Sequence, residues 1–549
     1  MTRTSVTATV VALASLAACT SVDTTLATEQ APKLPDGPEP VSGPRYDEVW
    51  GIATHNSYWV DLGVPFDSFA SGTSERLLDQ LLFDHVRSIE IDVHPDVDRP
   101  GAFAVYHTER GNSLCDRLED CLAQVRALRW ALPAHEVVTI ALELKGITKP
   151  TFDATHTIED LDGVLRRELG PALFGPRELL ARCDANGSHA SLKTCARIQG
   201  WPAAAALRGK VVVSILGNWD DLGEAQNTLD WVHYATKGDV RDRAAFPMVS
   251  PWKIDREKLP QRLQDRVTDA DLAAAREQTI FMQVESLDEP GARPLLADHG
   301  VVRADGANTV ADQRARVGLG MQLLQTDTPL VQLDDRGVVS PLRAFQGAHV
   351  LREPGVRLLL GGGAERTFAY EEHDGAGELA AAITGSAEAA CLRVAAGLGA
   401  RGDEASFGVC RTKVRAVGAP DPRAEHVAIT ARSCQASVCV EKTVTSVEPA
   451  PGGVGDLVSL AVDGRGCARA RSAREVDVAG APVWIDVGDP VCFAAPLRFR
   501  GITRMPATDG KSTLFAGLRN EVGPLRELAT VIEGSDARDG STRLDDASE

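Results

Sequence analysis

The sequence predicts an irregular (β/α)8 barrel of TIM type followed by a β-rich, disulfide-containing module. Three observations carry that prediction. Between about residues 46 and 335, short apolar runs alternate with longer amphipathic ones, the rhythm of successive β and α elements. Near residue 340 helical periodicity fades, Gly, Val, Ala and Thr dominate, and six of the eleven cysteines follow. A length of 549 residues also exceeds what one ordinary hydrophobic core supports.

In chain order, "MTRT" and the uncharged, mostly apolar "SVTATVVALASLAA" have the layout of a secretory signal over residues 1–18. The run is too short to span a bilayer. "LAAC", ending at Cys19, resembles the lipobox of bacterial lipoproteins, in which the Cys is lipidated. Residues 19–45, rich in Thr, Pro, Glu and Gly, read as a flexible tether. This N-terminus predicts an exported lipoprotein anchored through Cys19 at a bacterial cell envelope, with simple secretion as the alternative.

Within 46–335 the strand candidates are "VWGIAT", "RSIEIDV", "AFAVYH", "VVTIALEL", "KVVVSIL", "TIFMQVE", "GVVRAD" and "GMQLLQTD". Helix-period segments separate most of them. "SERLLDQLLFDHV" aligns Leu77, Leu78, Leu81, Leu82 and Val86 on one face, with Ser74 as cap. "NSLCDRLEDCLAQVRALRWAL", "IEDLDGVLRREL" and "ADLAAAREQ" behave alike. The link between "EIDV" and "AFAVYH" is too short for a helical crossover between parallel strands, so the barrel should be irregular there.

From 340 to 533, "EHVAITARS", "CVEKTVTSV", "DLVSLAVDG" and "APVWIDVGD" read as strands and "AGELAAAITG" as a helix. Residues 534–549 are polar and read as a disordered tail. Setting Cys19 aside leaves ten cysteines in an exported chain, enough for five disulfides. Pairing sequence neighbours gives Cys115–Cys121, Cys183–Cys195, Cys391–Cys410, Cys434–Cys439 and Cys467–Cys492.

The formal net charge of −19 argues against a nucleic-acid partner and against simple electrostatic docking on an anionic membrane. Side chains able to do chemistry collect at the C-terminal ends of the early strand candidates, the catalytic rim of such a barrel. They are His55 and Asn56, then Glu90 and Asp92, then His107, then Glu143 and Lys145. Spaced two apart on a strand, Glu90 and Asp92 face one side. If that side is the interior, two like charges are held together without water, which is unfavourable unless a cation or proton joins them. An Asn oxygen and three carboxylates form an all-oxygen set suited to a hard cation, Ca²⁺ or Mg²⁺.

Taken together, "THNSYW", "SIEIDVHP", "VYHT" and "IALELK" resemble the catalytic half of the bacterial Ca²⁺-dependent phosphoinositide-specific phospholipases C. The resemblance spans roughly 46–333. It is strong over the first four strands and thinner afterwards, where Gln325, Thr326 and Asp327 only partly match the family's S-T-D. It implies that His55 and His107 handle protons and phosphoryl oxygens. It further implies that Asn56, Glu90, Asp92 and Glu143 are metal ligands, and that Lys145, Arg303 and Asp305 contact substrate. The metal-independent branch of the family lacks this acidic set, which favours a metal, with Ca²⁺ ahead of Mg²⁺. The implied activity is a phosphoinositide phospholipase C acting on a phospholipid at a membrane surface. An inositol hydroxyl attacks phosphorus, giving diacylglycerol and a cyclic inositol phosphate. The alternatives are a glycerophosphodiester phosphodiesterase or another phosphodiesterase on the same barrel, and a non-catalytic surface-binding lipoprotein.

Overall fold

A computed structural model of the protein describes residues 43–60, 76–108, 110–145, 151–184, 191–217, 225–249, 256–258, 261–284 and 292–327, and from 347 to 520 chiefly the strands. The expected signal, the Cys19 anchor, most of its tether and the 534–549 tail lie outside these residues.

The strands of the first half are β1 (Gly51–Thr54), β2 (Ser88–Pro95), β3 (Phe103–Val105), β4 (Val138–Leu144), β5 (Leu173–Phe174), β6 (Val211–Gly217), β7 (Phe246–Val249), β8 (Phe281–Val284), β9 (Val301–Ala304) and β10 (Leu323–Thr326). Eight of them form a closed parallel barrel in the order β1-β10-β9-β8-β7-β6-β4-β2, and β2 returns to β1 through Ala53 opposite Ser88. The two-residue β5 pairs with the start of β6, below the point where β7 joins it.

Two strand expectations are corrected. "AFAVYH" is not a barrel strand: β3 runs antiparallel to the protruding end of β2, with Val93 opposite Val105 and Pro95 opposite Phe103. A short link permits a hairpin and forbids a parallel crossover. The missing eighth strand is β7, "FPMV", which Pro247 hides because proline is depleted inside strands. Pro247 is tolerated where β7 is paired with β6; pairing with β8 begins at Met248.

Helix α1 (Leu77–Leu82) starts after Arg76, and all six of its residues are buried; Ser74, the expected cap, lies outside the described residues. Helices α2 (Leu118–Ala131) and α3 (Ile158–Leu169) follow, the latter closed at its start by a capping box between Thr157 and Asp160.

Period-two alternation sorts each barrel strand into two cores. Ile89, Ile91 and Val93 of β2, and Val138, Ile140, Leu142 and Leu144 of β4, pack outward into the strand–helix layer. Ala53, Ala141, Val212, Val301 and Leu323 belong to the second, interior cluster, which is completed by Tyr46, Trp201, Phe246 and Phe281. Trp201 lies 5.4 Å from Phe246, 5.7 Å from Phe281 and 4.9 Å from Tyr46, centroid to centroid. Tyr46 also bonds Thr139 at 2.6 Å. These aromatics fill the barrel below the rim and leave the upper inward positions to polar residues.

The second half forms two antiparallel sheets of eight and six strands. "AGELAAAITG" is a strand, Gly377–Gly385, rather than a helix. Its Ala-rich propensity is overridden because it is paired on both edges, with Val454–Val462 and Ser512–Asn520, and buries Ala380, Ala381, Ala382 and Ile383. The sheet packs on α2: Trp130 meets Trp484 edge-on at 6.1 Å, and Arg126 joins the Val476 carbonyl to the Glu168 carboxylate.

Cys115–Cys121 and Cys183–Cys195 are disulfides, in keeping with an oxidising compartment. The strand ladders put Cys391 opposite Cys410, Cys434 opposite Cys439 and Cys467 opposite Cys492, and Cys467 is disulfide-bonded.

His135, between α2 and β4, is buried with Nδ1 on the Glu136 carbonyl at 2.6 Å and no partner for Nε2. Burial lowers its pKa from 6.5 to about 4. The unfolded chain therefore takes up this proton first. Stability should fall by about 3 kcal/mol as pH drops from the unfolded to the folded value, then level off. Urea unfolding across that window checks this, since His135→Gln should flatten the dependence.

Candidate active site

Glu90 and Asp92 occupy alternate inward positions of β2, and β4 places Glu143 directly opposite Asp92. All three carboxylates are buried, and one oxygen from each lies within 4.8 Å of the others. At that spacing two unit charges repel by on the order of 3 kcal/mol at an effective dielectric of about 20. The fold resolves the conflict differently for each acid.

Glu90 is satisfied. The fully buried Arg303 straddles it, with Nη1 3.3 Å from Oε1 and Nη2 3.0 Å from Oε2. Gln325 Nε2 and the Asn56 backbone amide also donate to Oε2, at 3.0 and 3.1 Å. Burial works against the Glu90 charge, but Arg303 and His55 outweigh it and hold the carboxyl below the usual range.

Asp92 is the opposite case. Neither carboxylate oxygen accepts a hydrogen bond, and both are buried. Lys145 Nζ stands 3.5 Å from one of them. The Tyr58 hydroxyl lies 3.4 Å from Asn56 Oδ1 and also faces Asp92, whose pKa it tends to lower. Burial, reinforced by Glu143 and Glu90 against the pull of Lys145, pushes Asp92 well above the ordinary carboxylate range. Glu143 is pushed up by burial and by Glu90, against Lys145, whose Nζ lies 2.7 Å from its Oε1. A buried carboxylate with two unpartnered oxygens, next to two further acids, fits a hard divalent cation.

Asn56 follows β1 in a left-handed conformation, φ 42°. Asn tolerates that geometry better than most residues, and strain of this kind collects at functional sites. His55 lies beside it. Its Nδ1 is 2.8 Å from Asp327 Oδ1, just past β10. Asn308 fixes Asp327 at two points, donating Nδ2 to Oδ2 at 3.1 Å and accepting the Asp327 backbone amide at 2.8 Å. Burial opposes charge on the imidazole, yet the Asp327 hydrogen bond with Glu90, Asp305 and Asp327 pushes His55 up to about 9. Asp327→Asn should bring it back toward the ordinary histidine value of 6.5, read from the imidazole resonances of the metal-free protein by NMR.

His107 arrives by an unexpected route. Because Val105 of β3 stands level with Val93, the chain re-enters the rim pointing downward. His94 Nε2 meets the carbonyls of Tyr106 and His107 at 2.9 and 3.1 Å, and the charges of Lys145 and His107 both reach His94. Burial lowers His94 to about 3.

The geometry thus brings together Glu90, Asp92, Glu143 and Lys145, with Asn56 and His55 beside them. Asp305 is close enough to act on His55. Arg303, expected at the substrate, is instead sealed beneath the site, where Gln283 Oε1 accepts from it at 2.7 Å. Sequence reasoning assigned no role to Asp327, Asn308, Gln325, Tyr58 or His94. Asp327 was detectable, since "QTD" ends a rim strand; the other four carry no signal outside the fold.

No family model matches the chain, and no curated protein does. Solved structures are similar to it. The chain resembles calcium-dependent phosphoinositide phospholipases C in structure. The enzyme of Pseudomonas sp. in its apo form is 18% identical over 54% of this chain and 94% of its own, with a TM-score of 0.39. That of Streptomyces antibioticus is 19% identical over 52% and 96%, with a TM-score of 0.40. A glycerophosphodiester phosphodiesterase of Parabacteroides distasonis is 12% identical over 52% and 95%, with a TM-score of 0.26.

Proposed function

We propose that the chain is a metal-dependent phosphodiesterase that cleaves phosphatidylinositol-type lipids at a membrane surface, to which a lipidated Cys19 would hold it. The observation that carries this reading is the convergence of the Glu90, Asp92 and Glu143 carboxylates within 4.8 Å, two of whose oxygens, both on Asp92, lack any hydrogen bond. Those three residues, with Asn56, would hold the cation, proposed as Ca²⁺. When bound it shields the phosphate charge and acidifies the attacking hydroxyl.

The remaining steps fall to this chain's own groups. The ring hydroxyl next to the phosphoester forms a new bond to phosphorus as the bond to the diacylglycerol oxygen breaks. Asp92, which the cation would keep ionised, fits best as acceptor of the hydroxyl proton, since Glu90 is already charge-paired with Arg303 and His55 carries its own proton at neutral pH. With Nδ1 fixed by Asp327, His55 has Nε2 for the phosphoryl oxygen, a preorganised positive charge where negative charge develops. His107 protonates the departing oxygen, a contribution worth about 10²–10⁴ in rate.

Phosphatidylinositol and glycerophosphoinositol, each assayed with and without EGTA, test the reading. The expected result is lipid cleavage to a cyclic inositol phosphate that stops on chelation and returns with Ca²⁺. Activity indifferent to chelator would overturn the metal role. Hydrolysis confined to the soluble diester, without cyclic product, would move the chain to glycerophosphodiester hydrolysis.

A further inference from the structure

We propose that His94 is the positioning residue for His107: its ring fixes the stretch of backbone from which His107 is presented to the leaving oxygen. The inference rests on the role given to His107 above.

The segment from Tyr106 to Leu114 joins β3 to the start of α2 and is anchored at both ends. Val105 N donates to Asp116 O at 3.0 Å, and Leu114 N donates to Tyr58 O at 2.8 Å, beside the bridge between Trp59 and Ser113. Between those anchors His94 reaches in from β2. A carbonyl only accepts, so Nε2 carries the hydrogen and shares it between Tyr106 O at 2.9 Å and His107 O at 3.1 Å. The same imidazole lies flat on the Tyr106 ring, centroids 3.6 Å apart and planes 9° from parallel. Arg110, held by Asp96 at 2.9 Å, sets its guanidinium 5.7 Å from that ring. His94 is itself nearly sealed from solvent, at 5% exposure.

Two features make this more than packing. His94 stands two residues beyond Asp92 on the same strand, so the loop bearing the acid is tied to the strand bearing the carboxylates. The contact also falls on the peptide groups flanking the His107 Cα, where a small shift is passed directly to the imidazole. A misplacement of about 1 Å is enough to cost roughly 10²-fold in rate.

Substitutions at His94 and His107 are assayed on two inositol phosphodiesters, one with an alkyl alcohol as leaving group and one with 4-nitrophenol, which departs without protonation. His94→Phe keeps the stack on Tyr106 and removes the donor. It should lose about 10²-fold in kcat on the alkyl ester with little change in KM, and under about threefold on the aryl ester. His94→Gln restores a donor near the Nε2 position and should recover most of the loss, whereas the shorter His94→Asn should not. In a His107→Ala background, His94→Phe should add nothing on the alkyl ester. Circular dichroism and thermal melting report the folded fraction in every preparation, and if His94→Phe does not fold, the Gln and Asn pair decides. Equal losses on both esters, failure of Gln to recover more than Asn, or a full additional loss in the His107→Ala background would overturn the proposal. If His107→Ala itself shows no leaving-group dependence, it is the role of His107 as acid that fails.

Discussion

Asp92→Asn should silence the enzyme and, in the absence of metal, make the protein more stable. The two effects have one cause. Asp92 is held without hydrogen bonds among two other buried acids, an arrangement that resists ionisation. Its pKa is higher in the folded chain than in the unfolded one, so above the unfolded pKa the unfolded chain gives up the proton more readily and folding is opposed. Replacing the carboxyl with a neutral amide removes that opposition, for a gain of ~1–2 kcal/mol in chelator, of the kind seen where function depends on a strained site. The same change deletes a ligand of the proposed cation. The several kcal/mol a Lewis acid supplies should be lost, roughly 10³-fold or more in kcat/KM. Melting curves with EGTA and with excess Ca²⁺ separate the effects. The wild type should gain stability with Ca²⁺ in proportion to occupancy, and the variant should not. A variant that melts lower than wild type in EGTA would show that Asp92 is not the unsatisfied acid described here.

Arg303→Met should produce the largest loss of stability of any single change at the site. The guanidinium is fully buried and faces Glu90, which is also sealed from solvent. Removing one partner of such a pair leaves a charge in a low-dielectric interior and costs about 3–5 kcal/mol. Removing both charges together, in the double variant Glu90→Gln with Arg303→Met, should return much of that stability while leaving the protein inactive. Urea unfolding of the two single variants and the double variant measures the coupling directly. A cost below about 1 kcal/mol for Arg303→Met would mean that water reaches the pair.

These two acids also show how far the sequence could be read. Period-two spacing in "IEID" and "IALELK" put each pair of polar residues on one side of its strand, and only the structure showed that this side is the barrel interior. His55 and Asn56 were legible as polar residues ending a strand. The hairpin after β2 was half legible: the short link ruled out a crossover, and only pairing revealed that β3 turns back. β7 was hidden by Pro247, and Gly377–Gly385 by an alanine content that favours helix in isolation.

The sequence by itself determined the alternation of strands and helices, the strand ends at which the acids and histidines collect and the change of architecture near residue 340. Each follows from local spacing of apolar and polar residues. Only the tertiary structure decided that Arg303 belongs to Glu90, that Asp327 belongs to His55, and that His94 holds the loop of His107. Those partners lie 213, 272 and 13 residues apart along the chain. No periodicity reports such pairings, because barrel closure and the β2–β3 hairpin set them, and both depend on the packing of the whole sheet.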